Sequence, residues 1–321
     1  WIHGLRSIAY GQHGYIYFTR SEHNGRKAYR VRTNGTGLQP IEGLYQYEHV
    51  EQLSISRTGL HIVSIVSSPK QTAKLAVLTE NRVHIVARST DIDLRSDSLS
   101  EPKSVSWSVK NGTTIHGLLY PPISSNFCCK NLPPLMINVH SGPTSQIEKT
   151  FEARAQFFAT RGWFFLDVNY RGSTGRGREY MKQLQKNWGI TDIEDIVSAL
   201  QYMKDSKKID PNRIVICGSS AGGYTVLRAL TMYPGLFSAG LCIYGISDLF
   251  SLTRDTHKFE AHYLDKLIGP LPDCLKVYNE RSPIFKAENI VDPIAIFHGE
   301  KDTVVPISQA EELVTILNRR G

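Results

Sequence analysis

Residues 213–230 read RIVICGSSAGGYTVLRAL, which joins a strand pattern, a glycine-rich turn and a helix pattern in one segment. RIVIC is a short apolar run typical of a buried strand, and YTVLRAL continues with residues that suit a helix. Between them, residues 218–222 read GSSAG, a Gly-x-Ser-x-Gly nucleophile-elbow pattern. The segment predicts a nucleophilic Ser220 at the carboxyl edge of a sheet. A glycine-rich turn that only packs tightly is the alternative.

The chain around this segment alternates strands and helices from Leu135 onward. The other strand patterns read LMINVH, WFFLDVNY, AGLCIYG and PIAIFHG. Residues 192–205 place their apolar side chains at helical spacing. This alternation predicts an α/β fold with a mostly parallel sheet that is covered by helices on both faces.

Residues 1–90 follow a different pattern, in which short β-type runs alternate with polar turns such as RTNGTG and SRTG. The pattern predicts an all-β module, either about two blades of a β-propeller or a small β-sandwich. Residues 91–103 are polar and unpatterned, and we interpret them as a linker. Residues 104–321 form the predicted α/β domain, which begins with a hairpin that turns at Asn111-Gly112.

Composition restricts the function classes. The chain has 37 Lys and Arg against 30 Asp and Glu, and these charges are scattered, which argues against a nucleic-acid partner. No apolar run approaches the ~18 residues of a membrane span and no signal-peptide pattern is seen, so no membrane partner and a cytoplasmic location are predicted.

The Asn-Gly-Thr triplets at Asn34 and Asn111 are interpreted as turns rather than glycosylation sites. The five cysteines are Cys128, Cys129, Cys217, Cys242 and Cys274. They lack zinc-ligand spacing, and most of them are predicted to be free thiols.

Two backbone regions are candidates for an oxyanion hole. The amide of Ala221 stands at the start of the helix that follows Ser220, where the helix dipole favours negative charge. The second region is NVHSGPTS, which follows the first long parallel strand and carries the small residues Ser141 and Gly142. An ordinary strand-end turn is the alternative for this loop.

Asp302 follows a strand pattern and lies 82 residues after Ser220, in the order Ser, Asp, His that α/β hydrolases use. Asp248 also follows a strand and competes for this role, although Asp302 is favoured because its strand comes later. All eleven histidines precede Asp302. His298 belongs to the strand end, and His140 is the one substitute considered as a base.

Several longer segments together resemble the prolyl oligopeptidase family of serine peptidases, in its acylaminoacyl-peptidase and dipeptidyl-aminopeptidase branch. The segments are NVHSGPTS, DVNYRGSTGRGREY, WGITDIEDIVSALQYM, DPNRIVICGSSAGGYTVLRAL, YGISDL, FEAHYLDKLIGP, YNERSPIFKAENI and IFHGEKDTVVPISQAEEL. The resemblance spans residues 104–321. It implies an N-terminal β-propeller followed by an α/β-hydrolase domain.

The resemblance also implies residue roles. Ser220 is the nucleophile, Asp302 is the triad carboxylate, and the amides of Ala221 and of the Ser141-Gly142 loop bind the oxyanion. Tyr170 and Arg171 lie in a loop that borders the active site in relatives.

The sequence departs from the family in two ways. It has HSGP where HGGP is usual, and the triad histidine is expected about thirty residues after the aspartate, past Gly321. The chain is therefore expected to be cut before this histidine and to be inactive by itself.

The function expected from these residues is a serine peptidase that hydrolyses short oligopeptides without a metal or organic cofactor. A carboxylesterase on the same fold and a non-catalytic interaction protein are the alternatives. The sequence does not separate acylaminoacyl from dipeptidyl specificity, and it leaves the oligomeric state open, a homo-oligomer included.

Overall fold

The fold was analysed in a computed structural model, which describes residues 4–11, 14–92, 94, 96–124, 131–255 and 262–319. The predicted free thiols Cys128 and Cys129 lie outside these residues. The chain divides into two compact units. One, here the β unit, takes in the described residues of 1–104, 120–127 and 148–161, and the other, here the α/β unit, takes in those of 105–119, 128–147 and 162–321.

The β unit contains a single sheet that is built from two antiparallel runs of strands. Its elements are β1 (Ile8–Tyr10), β2 (Tyr15–Glu22), β3 (Gly25–Arg32), β4 (Gln39–Pro40), α1 (Glu42–Tyr45), β5 (His49–Ile55), β6 (His61–Ser68), β7 (Gln71–Thr79) and β8 (Arg82–Arg88). Neighbours pair in the order β1-β2-β3-β5-β6-β7-β8, and β4 pairs with β3. The two runs meet at one parallel pairing, between Arg26 of β3 and His49 of β5. The β-strand module predicted for residues 1–90 is present as a mixed sheet with one short helix.

The turns of the β unit form where the sequence places asparagine, glycine and serine. Asn34 Oδ1 accepts a hydrogen bond of 3.0 Å from the Thr36 N–H, and Gly35 has a φ of 83°, a conformation that glycine adopts without steric cost. The SRTG turn closes through a 2.9 Å bond from the Gly59 N–H to the Ser56 carbonyl. Apolar side chains from α1 and the strands, such as Leu44, Val50 and Val66, are fully buried in one core.

A later segment of the chain also belongs to the β unit. Within residues 148–161, the helix α2 (Ala153–Ala159) carries Gln156, whose side chain accepts from the Ser100 N–H at 2.8 Å and donates to the Ser100 carbonyl at 2.9 Å. The buried carboxylate of Glu148 pairs with Arg26 at 2.8 Å and with His49 at 3.2 Å. The Glu148 contacts join this segment to β3 and β5, which lie about a hundred residues earlier in the chain.

The α/β unit is centred on a seven-stranded sheet with the order β15-β14-β13-β11-β12-β10-β9. The strands are β9 (Lys103–Ser108), β10 (Thr114–Tyr120), β11 (Leu135–Val139), β12 (Phe164–Asn169), β13 (Ile214–Ser219), β14 (Ala239–Ile243) and β15 (Ile294–Phe297). Strands β11 to β15 pair in parallel. The connection between β9 and β10 turns at Asn111-Gly112, where Asn111 Oδ1 accepts from the Thr113 N–H at 3.0 Å. The mostly parallel sheet and the Asn-Gly turn are as the sequence predicts.

Helices alternate with these parallel strands. They are α3 (Arg178–Lys182), α4 (Thr191–Asp205), α5 (Ala221–Met232), α6 (Leu249–Asp255), α7 (Tyr263–Leu267), α8 (Leu275–Arg281) and α9 (Ser308–Arg319), with a 3-10 helix at Pro283–Asn289. A further 3-10 helix, Ser96–Ser98, belongs to the β unit. The periodic residues of α4 are buried, Ile193 and Ile196 among them. Every residue of β12 is buried, so this strand is covered on both faces. Within the described ranges, no helix is both long and apolar enough to cross a membrane.

The ion cluster at Glu148 gives the β unit a predicted pH dependence. Burial opposes the charge of His49, but hydrogen bonds to Glu148 and Glu51 outweigh it and raise the pKa of His49 to about 9. The native state then binds more protons than the unfolded chain between the ordinary histidine pKa and about 9. This contribution to stability is fully present below pH ~6.5 and is lost as the pH rises toward 9, by roughly 3 kcal/mol at most.

Urea unfolding of the β unit at pH 6.5 and 9 measures this loss. We expect Glu148→Gln to flatten the difference between the two pH values, whereas His84→Gln, at an exposed position of β8, keeps the wild-type difference. An unchanged pH dependence in Glu148→Gln would contradict the assignment.

Candidate active site

Ser220 stands alone between β13, which ends at Ser219, and α5, which begins at Ala221. Its backbone has φ 52° and ψ −120°, a region that costs a non-glycine residue strain energy. Two backbone hydrogen bonds hold it there, from the Ser220 N–H to the Ile243 carbonyl (3.0 Å) and from the Tyr224 N–H to the Ser220 carbonyl (2.9 Å). The strand-to-helix elbow predicted from the sequence is therefore present.

The glycines around Ser220 are required by close backbone contacts. A Cβ at Gly218 would overlap the Gly222 carbonyl, and a Cβ at Gly222 would overlap the Val139 carbonyl of β11. The sequence prediction that small residues at 218 and 222 permit the sharp turn agrees with these contacts. It missed Gly223, whose absent Cβ would lie 2.6 Å from the Cα of Gly245. The run Ala221-Gly222-Gly223 in the sequence could have indicated this further close contact.

The parallel register brings the loops that follow four strands to one edge of the sheet. Val139 pairs with Gly218, Ser219 pairs with Ile243, and Ile243 pairs with Phe297. Since the carboxyl ends of parallel strands share an edge, Ser220, the loop at 140–145 and the loop at 298–305 all lie there. This placement brings Ser220, the Ser141-Gly142 loop and Asp302 to the same edge of the sheet.

The two candidate carboxylates have different partners at this edge. Asp302 Oδ1 accepts from the N–H groups of Val304 (2.9 Å) and Val305 (3.0 Å) and thereby shapes its own loop. Asp248 accepts from the Phe250 N–H at 2.9 Å and from the Ser251 hydroxyl at 2.7 Å. These contacts are those of a cap at the start of α6. Both oxygens of Asp248 are used in this cap, whereas the loop contacts of Asp302 use only Oδ1.

The loop at 140–145 is held by the imidazole of His140. His140 Nδ1 lies 2.7 Å from the Ser141 carbonyl, Nε2 lies 2.7 Å from Ser173 Oγ, and the ring stacks on Tyr170 with centroids 4.3 Å apart. A carbonyl only accepts, so Nδ1 carries the proton. Burial lowers the pKa of His140 to about 4 and keeps the ring neutral. Both ring nitrogens of His140 are therefore engaged with Ser141 and Ser173 rather than with Ser220.

This contact also orients the next peptide. In a planar trans peptide the carbonyl and the following N–H point in opposite directions. Because the Ser141 carbonyl faces the imidazole, the Gly142 N–H points away from it. Gly142 has a φ of 133°, a conformation that a side chain would strain. Gly142 lines the cavity beside Ser220, whereas Ser141 is exposed next to it.

Tyr170 and Arg171 lie away from the cavity. The Tyr170 hydroxyl is fully buried and donates to the Pro143 carbonyl at 3.0 Å, so it supports the loop. The Arg171 guanidinium is buried in an ion pair with Asp195 (2.7 Å) and also contacts Glu194 (3.0 Å), both on α4. Burial raises the pKa of Asp195 to about 6, although Arg171 pulls in the opposite direction. Tyr170 thus contacts the loop at 140–145, and Arg171 contacts α4; neither is among the residues that line the cavity.

A mostly apolar cavity opens beside Ser220. The centre of a water molecule can reach about 80 Å³ of it, and one water needs roughly 10–15 Å³ by this measure. It therefore has room for several waters, or for one amino-acid side chain. Its lining residues are Gly142, Pro143, Trp188, Ser220, Ala221, Ile246, Leu252, Thr253, Tyr263, Leu264, Val304 and Val305. The sequence did not reveal Trp188, Leu252 or Tyr263 as members of the site, because they come from separate segments.

A serine in a strained elbow, at the carboxyl edge of a parallel sheet and at the start of a helix, is the nucleophile arrangement of an α/β hydrolase. The prolyl oligopeptidase family model matches residues 149–321. The chain belongs to the prolyl oligopeptidase family, whose members are serine peptidases. The resemblance found in the sequence is thus confirmed.

Three similar proteins illustrate the relationship. A puromycin-hydrolyzing peptidase from Mycobacterium tuberculosis superposes with a TM-score of 0.92 at 33% identity, over 98% of this chain and 48% of that one. Dipeptidyl aminopeptidase BIII from Pseudoxanthomonas mexicana is 30% identical over 59% of this chain and 28% of its own length. The acylamino-acid-releasing enzyme of Sus scrofa is 26% identical over 65% of this chain and 29% of its own length. The chain thus spans half or less of the length of each.

The close contact at Gly222 yields a stability prediction. Gly222→Ala places a methyl group against the Val139 carbonyl, and we expect it to lower the free energy of unfolding of the α/β unit by about 1–3 kcal/mol or more. Gly299→Ala is the matched control, because a Cβ there meets nothing within 4 Å. Thermal unfolding of both variants measures the effect. A Gly222→Ala variant as stable as the control would contradict the packing described for the elbow.

Proposed function

We propose that the protein is a serine-type peptidase that hydrolyses short peptides through an acyl-enzyme on Ser220. The observation that carries this proposal is the strained elbow of Ser220, which opens into an apolar cavity also lined by Ala221 and Gly142. The N-terminus of α5 and its first amide favour an oxyanion at this point. An apolar side chain next to the scissile carbonyl fits the cavity walls.

In the proposed mechanism Ser220 Oγ attacks the substrate carbonyl while a histidine base takes its proton. The N–H groups of Ala221 and Gly142 hold the tetrahedral oxyanion, and the Asp302 carboxylate orients the base. The imidazole then protonates the leaving amine, and water hydrolyses the acyl-enzyme. No metal enters these steps.

Two histidines near this edge have other partners. His140 is engaged with Ser141 and Ser173. His298 Nε2 donates to the Val305 carbonyl at 2.7 Å and lies 3.8 Å from Asp302 Oδ2, so this nitrogen is not available to Ser220. We infer that the base is a histidine outside the described residues. If this histidine follows residue 321, as the family resemblance implies, residues 1–321 alone will react slowly, because a serine without its base retains little catalytic activity.

The choice of a peptide over an ester substrate rests on the relatives. They are named as peptidases, as an aminopeptidase and as an acylamino-acid-releasing enzyme. We extend to this protein an oligopeptide substrate cleaved near its N-terminus. Substrate profiling with acylated and with free N-termini distinguishes acylaminoacyl from dipeptidyl specificity.

We also propose that the β unit is part of a β-propeller, with residues 1–90 supplying about two blades and 91–103 leading into the α/β-hydrolase domain of 104–321. The antiparallel run β5-β6-β7-β8 supports this, since a propeller blade is a four-stranded antiparallel sheet. We assign the run β1-β2-β3, together with β4, which pairs with β3, to the other blade.

A fluorophosphonate probe, which reacts with activated serines, tests the nucleophile. We expect the full-length protein to be labelled at Ser220 and Ser220→Ala to remain unlabelled. Residues 1–321 alone should label far more slowly. Equal labelling of the two lengths would show instead that a histidine within the chain, such as His140 or His257, is the base.

The carboxylate is tested by turnover of a peptide anilide. Asp302→Asn should lower kcat by about 10⁴-fold, as expected for a triad carboxylate, and Asp248→Asn should change it only a few-fold because Asp248 caps α6. The reverse ranking would exchange their roles. Faster turnover of a short-chain ester than of any peptide would point to an esterase.

A further inference from the structure

The side chain of Tyr263 belongs to two parts of the site at once. Its ring lines the cavity beside Ser220. Its hydroxyl donates to Thr144 Oγ1 at 2.7 Å and accepts from the Thr144 N–H at 3.1 Å. A single residue thus contacts both the space for a substrate side chain and the loop that carries Gly142.

The contact with Thr144 falls at a point that controls the loop. The peptide between Pro143 and Thr144 is held from both ends: its carbonyl accepts from the Tyr170 hydroxyl at 3.0 Å and its N–H donates to Tyr263. One peptide, between Gly142 and Pro143, separates it from Gly142. Its position therefore sets the direction in which the chain leaves Gly142, and with it the aim of the Gly142 N–H.

Tyr263 differs from the other side chains that hold this loop. Tyr170 is fully buried and His140 is 8% exposed, and neither lines the cavity. Tyr263 is half-buried and begins α7. It is therefore the loop support that a bound substrate can touch directly.

We propose that Tyr263 is a positioning residue that couples the substrate side chain bound in the cavity to the oxyanion loop. A side chain that packs against the Tyr263 ring favours the orientation in which the hydroxyl reaches Thr144. The Pro143–Thr144 peptide, and through it the Gly142 N–H, is then held in place for the transition state. This inference rests on the proposed peptidase function and adds a selection step to it, because substrates that fill the cavity also complete the oxyanion hole.

The coupling makes a specific kinetic prediction for the full-length protein. Two peptide anilides are compared that differ only at the residue whose carbonyl is attacked, one with leucine and one with glycine. In Tyr263→Phe the ring remains and the hydroxyl is lost. We expect kcat for the leucyl substrate to fall about 10- to 100-fold with KM within about threefold, since misplaced catalytic groups lower kcat by this order. The ratio of kcat values between leucyl and glycyl substrates should fall toward one.

Two further variants separate the hydrogen bond from general effects. Thr144→Val removes the Oγ1 acceptor and keeps the N–H, so it should reduce the same ratio by a smaller factor. The double variant should be no worse than Tyr263→Phe, because coupled partners are not additive. Tyr202→Phe is the control for loss of a tyrosine hydroxyl. Tyr202 stacks on Trp107 and is not among the cavity residues, so its ratio should stay at the wild-type value.

A purely structural role for Tyr263 predicts a different result. It would lower kcat equally for both substrates, or lower only the melting temperature, and either result with an unchanged leucyl-to-glycyl ratio would overturn the proposal. Affinity for a leucyl peptide aldehyde, which forms a tetrahedral adduct with serine, gives a second readout and should weaken in parallel with kcat. If the unaltered protein neither labels at Ser220 nor turns over either substrate, the proposed function fails before the coupling is tested.

Discussion

The strained backbone of Ser220 depends on the absence of three Cβ atoms, and the rest of the site is arranged around it. A non-glycine residue at φ 52°, ψ −120° costs on the order of 1–3 kcal/mol, which the surrounding packing must offset. Gly218 and Gly222 let β13, β11 and the start of α5 approach within backbone contact, and Gly223 does the same toward Gly245. Nearly the whole of α5 is buried as a result, so the elbow cannot relax without disturbing the centre of the sheet.

The loop opposite the elbow is held by polar groups that are buried and mostly neutral. His140 keeps its ring uncharged through burial, and Tyr170 donates from a fully buried hydroxyl. Arg171, next to Tyr170 in the chain, is buried in an ion pair with Asp195 of α4. Hydrogen bonds in so dry an environment are strong, and each one left unmade is costly. Such groups fix the direction of the Gly142 amide without placing a competing charge beside Ser220.

The sequence predicted features that depend on neighbouring residues and missed those that depend on distant ones. The elbow, the helical period of α4 and the Asn-Gly turns follow from local steric preferences, so they could be read directly. The link between Glu148 and Arg26 joins residues 122 positions apart, and that between Thr144 and Tyr263 spans 119. The resemblance placed Arg171 in a loop that borders the active site, and only the fold reveals Asp195 as its partner. The residues that line the cavity could not be predicted either, because they come from separate segments of the chain.

The site divides into parts with different freedom to change. Ser220, the loop at 140–145 and the Asp302 loop all follow strands, so the register of the sheet fixes their spacing. Leu252, Thr253, Tyr263 and Leu264 instead come from helices α6 and α7, inserted between β14 and β15. Substitutions in these helices can reshape the cavity while the sheet keeps the reacting groups in place. Tyr263 is the exception, since its hydrogen bonds to Thr144 tie the selecting part of the site to the reacting part.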